Sequence, residues 1–79
     1  MPYIAIKSFP KDDATKKRVV EGINALFLEV WGCPQEAITI SVEEVAPKDW
    51  AEKVVQAEIQ PKLAHMMILS GRKTGEMEE

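Results

Sequence analysis

Hydrophobic and polar residues alternate at the start of the chain. Within residues 2–8, Ile4 and Ile6 fall on one side of an extended backbone, with Tyr3, Ala5 and Lys7 on the other. A period of two residues is typical of a β-strand with one face buried. The stretch 37–45 has the same period and predicts a second strand. Its two faces carry Ile38, Ile40 and Val42 on one side and Thr39, Ser41 and Glu43 on the other.

Between these strands the spacing of apolar residues changes to that of a helix. Asp12 and Asp13 suit the position that caps a helix N-terminus, and Gly32 suits the left-handed position just beyond its end. Pro34 then prevents the helix from resuming. The apolar residues with helical spacing are Val19, Val20, Ile23, Leu26, Phe27, Val30 and Trp31. We therefore expect a helix of about five turns that crosses between two parallel strands.

After the second strand, Ala46 to Asp49 predicts a turn, and a second helix begins near Trp50 with Asp49 as its cap. Apolar residues as far as Leu69 supply its buried side, and Pro61 kinks it near Gln60. The tail 70–79 is predicted to be mobile. The pattern predicts an α+β fold in one domain, 1–79, with a β-α-β unit and a kinked C-terminal helix.

The chain is too short to form a large core alone. It has 79 residues, of which 46% are hydrophobic, and a domain of this size buries only about 60% of the surface of its unfolded chain. Cys33 is the only cysteine and His65 the only histidine, so neither an internal disulfide nor a metal site is expected. Self-association is the remaining source of stability, and we expect an oligomer.

Charge and hydropathy exclude other classes of partner. The net charge of −3 and a pI near 5.2 argue against nucleic-acid binding. The sequence contains no apolar run of about 18 residues that would span a membrane, and no export leader. These features predict a cytoplasmic protein.

Pro2 is the candidate catalytic residue. Removal of Met1 would leave a free secondary amine at the start of the first strand, whereas a proline nitrogen within a chain is an amide without basicity. The alternative is that Pro2 only stiffens the start of an edge strand, where proline is tolerated.

Four features follow one another along the chain. They are a strand that begins with proline, a basic residue before the helix (Lys11), an apolar second strand and an aromatic residue soon after that strand (Trp50). This arrangement resembles the 4-oxalocrotonate tautomerase family. The stretch 56–63, Gln-Ala-Glu-Ile-Gln-Pro-Lys-Leu, is similar to a longer-tailed bacterial subgroup of it.

The resemblance implies a tautomerase that moves a proton in a small enol or keto acid, needs no cofactor, and uses the Pro2 amine as general base. It also implies that the strands of two protomers form a four-stranded sheet with helices on one face, in a dimer or a hexamer; the longer tail favours the dimer. Trp50 would form an apolar wall, and Lys11 would bind a substrate carboxylate. Alternatively, Trp50 fills a core or interface and Lys11 is solvated.

Thr39 stands where the best-known members of the family have a substrate-binding arginine. A threonine donates one neutral hydrogen bond and cannot form a charged bidentate contact. We therefore expect a monoacid, such as a phenylpyruvate-like enol, rather than a diacid, although Lys7 or Arg72 could enter from elsewhere.

Glu43 and Glu44 point to opposite faces of a strand and form its solvated end, so they are not a catalytic pair. The alternative function is a noncatalytic oligomeric binding or interaction module on the same scaffold.

Overall fold

The structure, a computed structural model, describes residues 1–75. It has an α+β fold built on a β-α-β unit, as the sequence predicts. The chain divides into two compact units, Met1–Ala46 and a second one that begins at Pro47. The single domain expected from the sequence stays a prediction.

The first unit contains two parallel strands, β1 (Tyr3–Ser8) and β2 (Thr39–Glu44). Their register pairs Tyr3 with Thr39 and continues to Ser8 beside Glu44. The predicted alternation is confirmed, because Ile4 and Ile6 are half-buried while Tyr3 and Ala5 are exposed. The second strand is shorter than expected at its start, where residues Gln35–Ala37 form a 3₁₀ turn.

Helix α1 (Asp13–Leu26) connects the strands and continues into a π-helical turn, Phe27–Trp31. Asp12 caps its N-terminus by accepting a 2.9 Å hydrogen bond from the Thr15 N–H. Gly32, with φ of 78°, ends the π-helical turn in the left-handed conformation that glycine adopts at little cost. Both predicted ends of the helix are therefore confirmed.

The apolar side chains at the C-terminal end of the helix stay largely uncovered in one copy of the chain. Val30 is 74% exposed and Trp31 69% exposed, and the Trp31 ring lies 5.1 Å from that of Phe27. Val45 is the only buried residue among the described positions of the first unit. One protomer thus leaves much apolar surface for contacts with other molecules.

The second unit begins with the 3₁₀ turn Pro47–Asp49, followed by a π-helical segment, Ala51–Ile59, and a 3₁₀ segment, Gln60–His65. The predicted kink is confirmed: the helix type changes at Gln60, and Lys62 has non-helical angles, φ −117° and ψ 23°. Asp49 does not form the predicted side-chain cap. Its carboxylate lies 3.8 Å from the ammonium of Lys53.

A hairpin replaces the predicted end of the second helix. Strands β3 (Ile68–Leu69) and β4 (Arg72–Lys73) pair antiparallel around Ser70 and Gly71. Both turn residues have positive φ, 51° and 82°, which matches a type I′ turn. The prediction of helix as far as Leu69 was wrong. The mobility of the tail from Ser70 stays a prediction, although its first residues take part in this hairpin. The last part of that predicted tail, 76–79, lies outside the described residues.

Candidate active site

Pro2 lies immediately before β1, at the amino end of the parallel pair. Its carbonyl oxygen accepts a 3.2 Å hydrogen bond from the backbone N–H of Thr39. Pro2 is half-buried, whereas Met1 is 95% exposed. Because the hydrogen bond uses the Pro2 carbonyl and Met1 makes little contact, removal of Met1 would free the Pro2 nitrogen without loss of this anchor.

Thr39 lies close to Pro2, as the predicted site requires. It is the first residue of β2 and pairs with Tyr3, and both are exposed. Side chains directly opposite each other lie on the same sheet face. The Thr39 hydroxyl therefore belongs to the surface that carries Tyr3, at the same end of the sheet as Pro2.

Lys11 lies at the other end of this sheet. It follows the last residue of β1 by three positions, and Pro2 precedes the first. A six-residue strand spans about 20 Å at the usual rise of about 3.3 Å per residue. One copy of the chain therefore does not bring Lys11 and Pro2 together.

The backbone of Lys11 is held by Glu44, the last residue of β2. Its N–H donates a 2.9 Å hydrogen bond to Oε2 of Glu44, and the Lys16 ammonium donates to the same oxygen at 3.0 Å. The Lys11 N–H, followed by the Lys16 ammonium, lowers the pKa of the Glu44 carboxyl from its usual value. Glu44 in turn raises the pKa of Lys16. Glu44 is exposed, as expected for the solvated end of the strand, but the sequence did not predict these contacts.

The opposite orientation of the two glutamates is confirmed. The Glu43 carboxylate lies 3.9 Å from the Lys7 ammonium and is 65% exposed, while Glu44 makes its contacts with Lys11 and Lys16. They do not form a pair of neighbouring carboxylates.

An apolar cavity of about 210 Å³ lies between α1 and the sheet at the end where Lys11 is found. The sheet contributes Ile6 and Val42, and the helix contributes Val19. Ser8, Lys11, Thr15 and Lys16 complete its lining. Because these residues come from both the sheet and α1, the helix lies over the sheet face that carries Ile6 and Val42.

Trp50 belongs to the second unit. It is half-buried and directly precedes the π-helical segment Ala51–Ile59, with the helical angles φ −59° and ψ −48°. Its predicted role as an apolar wall beside Pro2 stays a prediction.

Glu44 and Lys16 are the residues that sequence reasoning missed at the Lys11 end. Their contact joins positions 28 residues apart, and no local motif marks it. The order of the elements could have indicated this contact. In a parallel pair, the carboxyl end of β2 lies beside the carboxyl end of β1, and α1 begins shortly after β1.

Within residues 1–75, no group of three or more His, Cys, Asp or Glu side chains is arranged to hold a metal ion. Nor does any helix there have the length and apolar character needed to cross a membrane.

Comparison with known proteins places this geometry in a family. Residues 2–57 match the family Tautomerase, described as tautomerase enzyme. The chain is 29% identical over 65 residues to Tautomerase PptA of Pectobacterium atrosepticum, covering 80% of this chain and 86% of the relative. It is 28% identical to the proteins of the same name from Cronobacter sakazakii, with the same coverage, and Enterobacter sp., over 85% of this chain and 91% of the relative. The family match spans most of the chain, including the proline-led strand, and the protein therefore belongs to the tautomerase family of enzymes.

Proposed function

We propose that the protein, after removal of Met1, tautomerises a small enol or keto acid with the Pro2 amine as general base. The observation that carries the proposal is the position of Pro2: its carbonyl is bonded to Thr39, while Met1 is almost fully exposed. Trimming would therefore produce a secondary amine at a fixed place at the end of the sheet.

The reaction requires only the relocation of a proton. In ketonisation, the Pro2 amine accepts the proton of the enol hydroxyl and returns a proton to the carbon that becomes tetrahedral. The carbon–carbon double bond becomes a single bond as the carbonyl forms, so no electrons leave the substrate and no cofactor is required. A positioned base of this kind typically contributes about 10²- to 10⁴-fold to the rate.

The amine must be neutral at pH 7 to act as a base. A secondary amine in water is mostly protonated, and an apolar environment or a nearby cation lowers its pKa. Trp50 is our candidate for the apolar wall. Lys11 is our candidate for the cation, and it also attracts the substrate carboxylate.

Lys11 reaches the Pro2 site only from a second copy of the chain. The two residues lie at opposite ends of β1, about 20 Å apart along a six-residue strand. If two copies pair antiparallel through β1, related by a two-fold axis, the amino end of each strand meets the carboxyl end of the other. Pro2 then lies near Lys11 of the partner subunit, in the four-stranded sheet that we propose for a dimer.

Thr39 determines the class of acid in this proposal. Its hydroxyl lies at the Pro2 end of the sheet and forms at most neutral hydrogen bonds, so Lys11 is the only cation that we assign to the site. One cation matches one carboxylate. We therefore propose a monoacid, such as a phenylpyruvate-like enol, as the preferred substrate.

Ketonisation by the wild-type protein and by Pro2→Ala tests the proposal, with intact mass establishing that Met1 is absent from both. We expect a loss of about 10²-fold or more in kcat/KM for Pro2→Ala. Pro34→Ala is the matched control, because Pro34 is exposed before a 3₁₀ turn, and it should keep full activity. Equal rates for wild type and Pro2→Ala would exclude Pro2 as the base. Retention of Met1 in protein from its natural host would instead favour a noncatalytic binding module.

A further inference from the structure

One oxygen atom connects three segments at the end of the sheet that carries Lys11. Oε2 of Glu44 accepts from the Lys11 backbone N–H at 2.9 Å and from the Lys16 ammonium at 3.0 Å. Lys16 also lies 3.3 Å from the Asp13 carboxylate in the first turn of α1. The end of β2, the loop after β1 and the start of α1 are thereby held together.

The loop around Lys11 is restrained on both sides. Pro10 has its φ fixed by the proline ring, and Asp12 is held extended, with φ −65° and ψ 154°, while its side chain caps α1 through Thr15. The bond from Lys11 to Glu44 adds a connection between residues 33 positions apart in the sequence. It ties the loop to the sheet.

The charged end of Lys11 is left available. Within residues 1–75, its ammonium forms no ion pair with a carboxylate, whereas the Lys16 ammonium contacts both Glu44 and Asp13. Lys11 is an exposed residue, and its side chain also borders the apolar cavity beneath α1. The backbone of Lys11 is thus anchored, and its ammonium interacts weakly with the neighbouring Asp12 carboxylate, so it can still bind an anion.

We propose that Glu44 is a positioning residue, which fixes the Lys11 backbone so that the Lys11 ammonium meets the substrate carboxylate. This inference rests on the proposed function, in which Lys11 binds that carboxylate. Lys16 has a supporting role, because its charge compensates the negative charge of Glu44. Without Lys16, the Glu44 carboxylate would weaken the attraction between Lys11 and an anionic substrate.

Steady-state kinetics of four single variants test the proposal. Glu44→Ala should raise KM for the enol monoacid roughly tenfold and leave kcat within about twofold, because it removes a bond to a charged acceptor. Glu44→Gln should recover most of the wild-type KM, since its amide oxygen can still accept the Lys11 N–H. Lys16→Met should raise KM by a smaller factor. Glu43→Ala is the matched control on the neighbouring position and should resemble the wild type.

A double-mutant cycle separates positioning from general destabilisation. If Glu44 acts through Lys11, Lys11→Ala and the double variant Lys11→Ala/Glu44→Ala should have the same KM within about twofold. A purely structural role would lower the amount of active protein, hence the apparent kcat, and its effect would add to that of Lys11→Ala.

A measurement without substrate checks the anchor itself. In the wild type, the amide proton resonance of Lys11 should shift as Glu44 is protonated in acid, and Glu44→Gln should abolish this shift. Lys16 contacts this carboxylate, Asp13 contacts Lys16, and Asp12 follows Lys11 in the sequence. Asp12→Asn and Asp13→Asn should leave the Lys11 titration in place.

The outcomes distinguish this inference from the proposed function. Loss of activity in Pro2→Ala together with an unchanged KM in Glu44→Ala would overturn the role of Glu44 alone. An unchanged KM in Lys11→Ala would also overturn it. Equal ketonisation by wild type and Pro2→Ala would overturn the proposed function, whatever the Lys11 amide resonance shows.

Discussion

The backbone N–H of Thr39 donates a 3.2 Å hydrogen bond to the carbonyl oxygen of Pro2. This bond lies at the start of the parallel pair of β1 and β2. In that pair, Tyr3 lies opposite Thr39 and Ser8 lies opposite Glu44. The bond between Thr39 and Pro2 is made by the main chain of both residues, so the side chain at position 39 can be changed without removing it. Position 39 is therefore a suitable place to alter the charge near Pro2.

Thr39→Arg should shift the preference of the enzyme from monoacids towards diacids. An arginine at this position can bind a second carboxylate through two parallel hydrogen bonds, which threonine cannot do. We expect the ratio of kcat/KM for a diacid enol to that for a monoacid enol to rise about tenfold, since one such contact contributes about 1.5 to 3 kcal/mol. Thr39→Val controls for loss of the hydroxyl. An unchanged ratio in Thr39→Arg would remove position 39 from the substrate site.

Two impaired variants should restore activity to each other if sites form between subunits. In a dimer where Pro2 of one subunit meets Lys11 of its partner, a hybrid of Pro2→Ala and Lys11→Ala chains contains one site with both native residues. After the two variants are unfolded and refolded together, activity at low substrate concentration should exceed the mean of the separate variants. The mixture without unfolding is the control, and activity equal to that mean after refolding would contradict the shared site.

The sequence was sufficient to predict the β-α-β unit because each of its signals is local. Alternation identified both strands, and Asp12 and Gly32 marked the ends of the helical stretch. The hairpin around Ser70 and Gly71 was missed although Ser-Gly is a turn signal. The apolar residues before this turn have a spacing that fits a helix, so a continuing helix was predicted. The strand Ile68–Leu69 has only two residues, which is too short to show the alternation of a β-strand.

Only part of the candidate site was predictable from the sequence, because some of its contacts join residues far apart in the chain. Pro2 and Thr39 meet because the register of two strands brings them together, and the strands were visible in the sequence. The contacts of Glu44 were not predicted because its partners, the Lys11 N–H and the Lys16 ammonium, are far from it in the sequence and meet it only in the folded chain. The distance between Lys11 and Pro2 also follows from strand length, and this points to a second subunit.

Asp12→Ala should destabilise the protein more than Asp13→Ala. Asp12 accepts hydrogen bonds from both the N–H and the hydroxyl of Thr15, whereas Asp13 places a similar charge in the first turn without a cap. We expect Asp12→Ala to lower Tm at neutral pH by roughly 5 °C. Asp12→Asn, which keeps an acceptor, should recover most of this loss.

The same cap predicts a pH dependence. The Thr15 N–H and then the Thr15 hydroxyl lower the pKa of Asp12, with a small contribution from Lys11. A carboxyl with a lowered pKa in the folded state contributes stability above its unfolded pKa and loses it as pH falls through the folded value. The Tm difference between wild type and Asp12→Ala should therefore shrink on acidification, and a difference that grew in acid would contradict this account of the cap.

Thermal unfolding should depend on protein concentration. Val30 and Trp31 are more than two-thirds exposed in a single copy of the chain. Few of the side chains in residues 1–75 are buried. If copies cover this and other apolar surface by associating, a hundredfold dilution should lower Tm by several degrees. A Tm independent of concentration, with light scattering at the monomer mass of 8.9 kDa, would contradict self-association.

An NMR titration of the Pro2 nitrogen, in protein labelled with ¹⁵N-proline and shown by mass to lack Met1, tests the central claim most directly. The account predicts that this amine loses its proton near neutral pH, so that much of it is an unprotonated base under working conditions. An amine that remains protonated far into the alkaline range would contradict the claim.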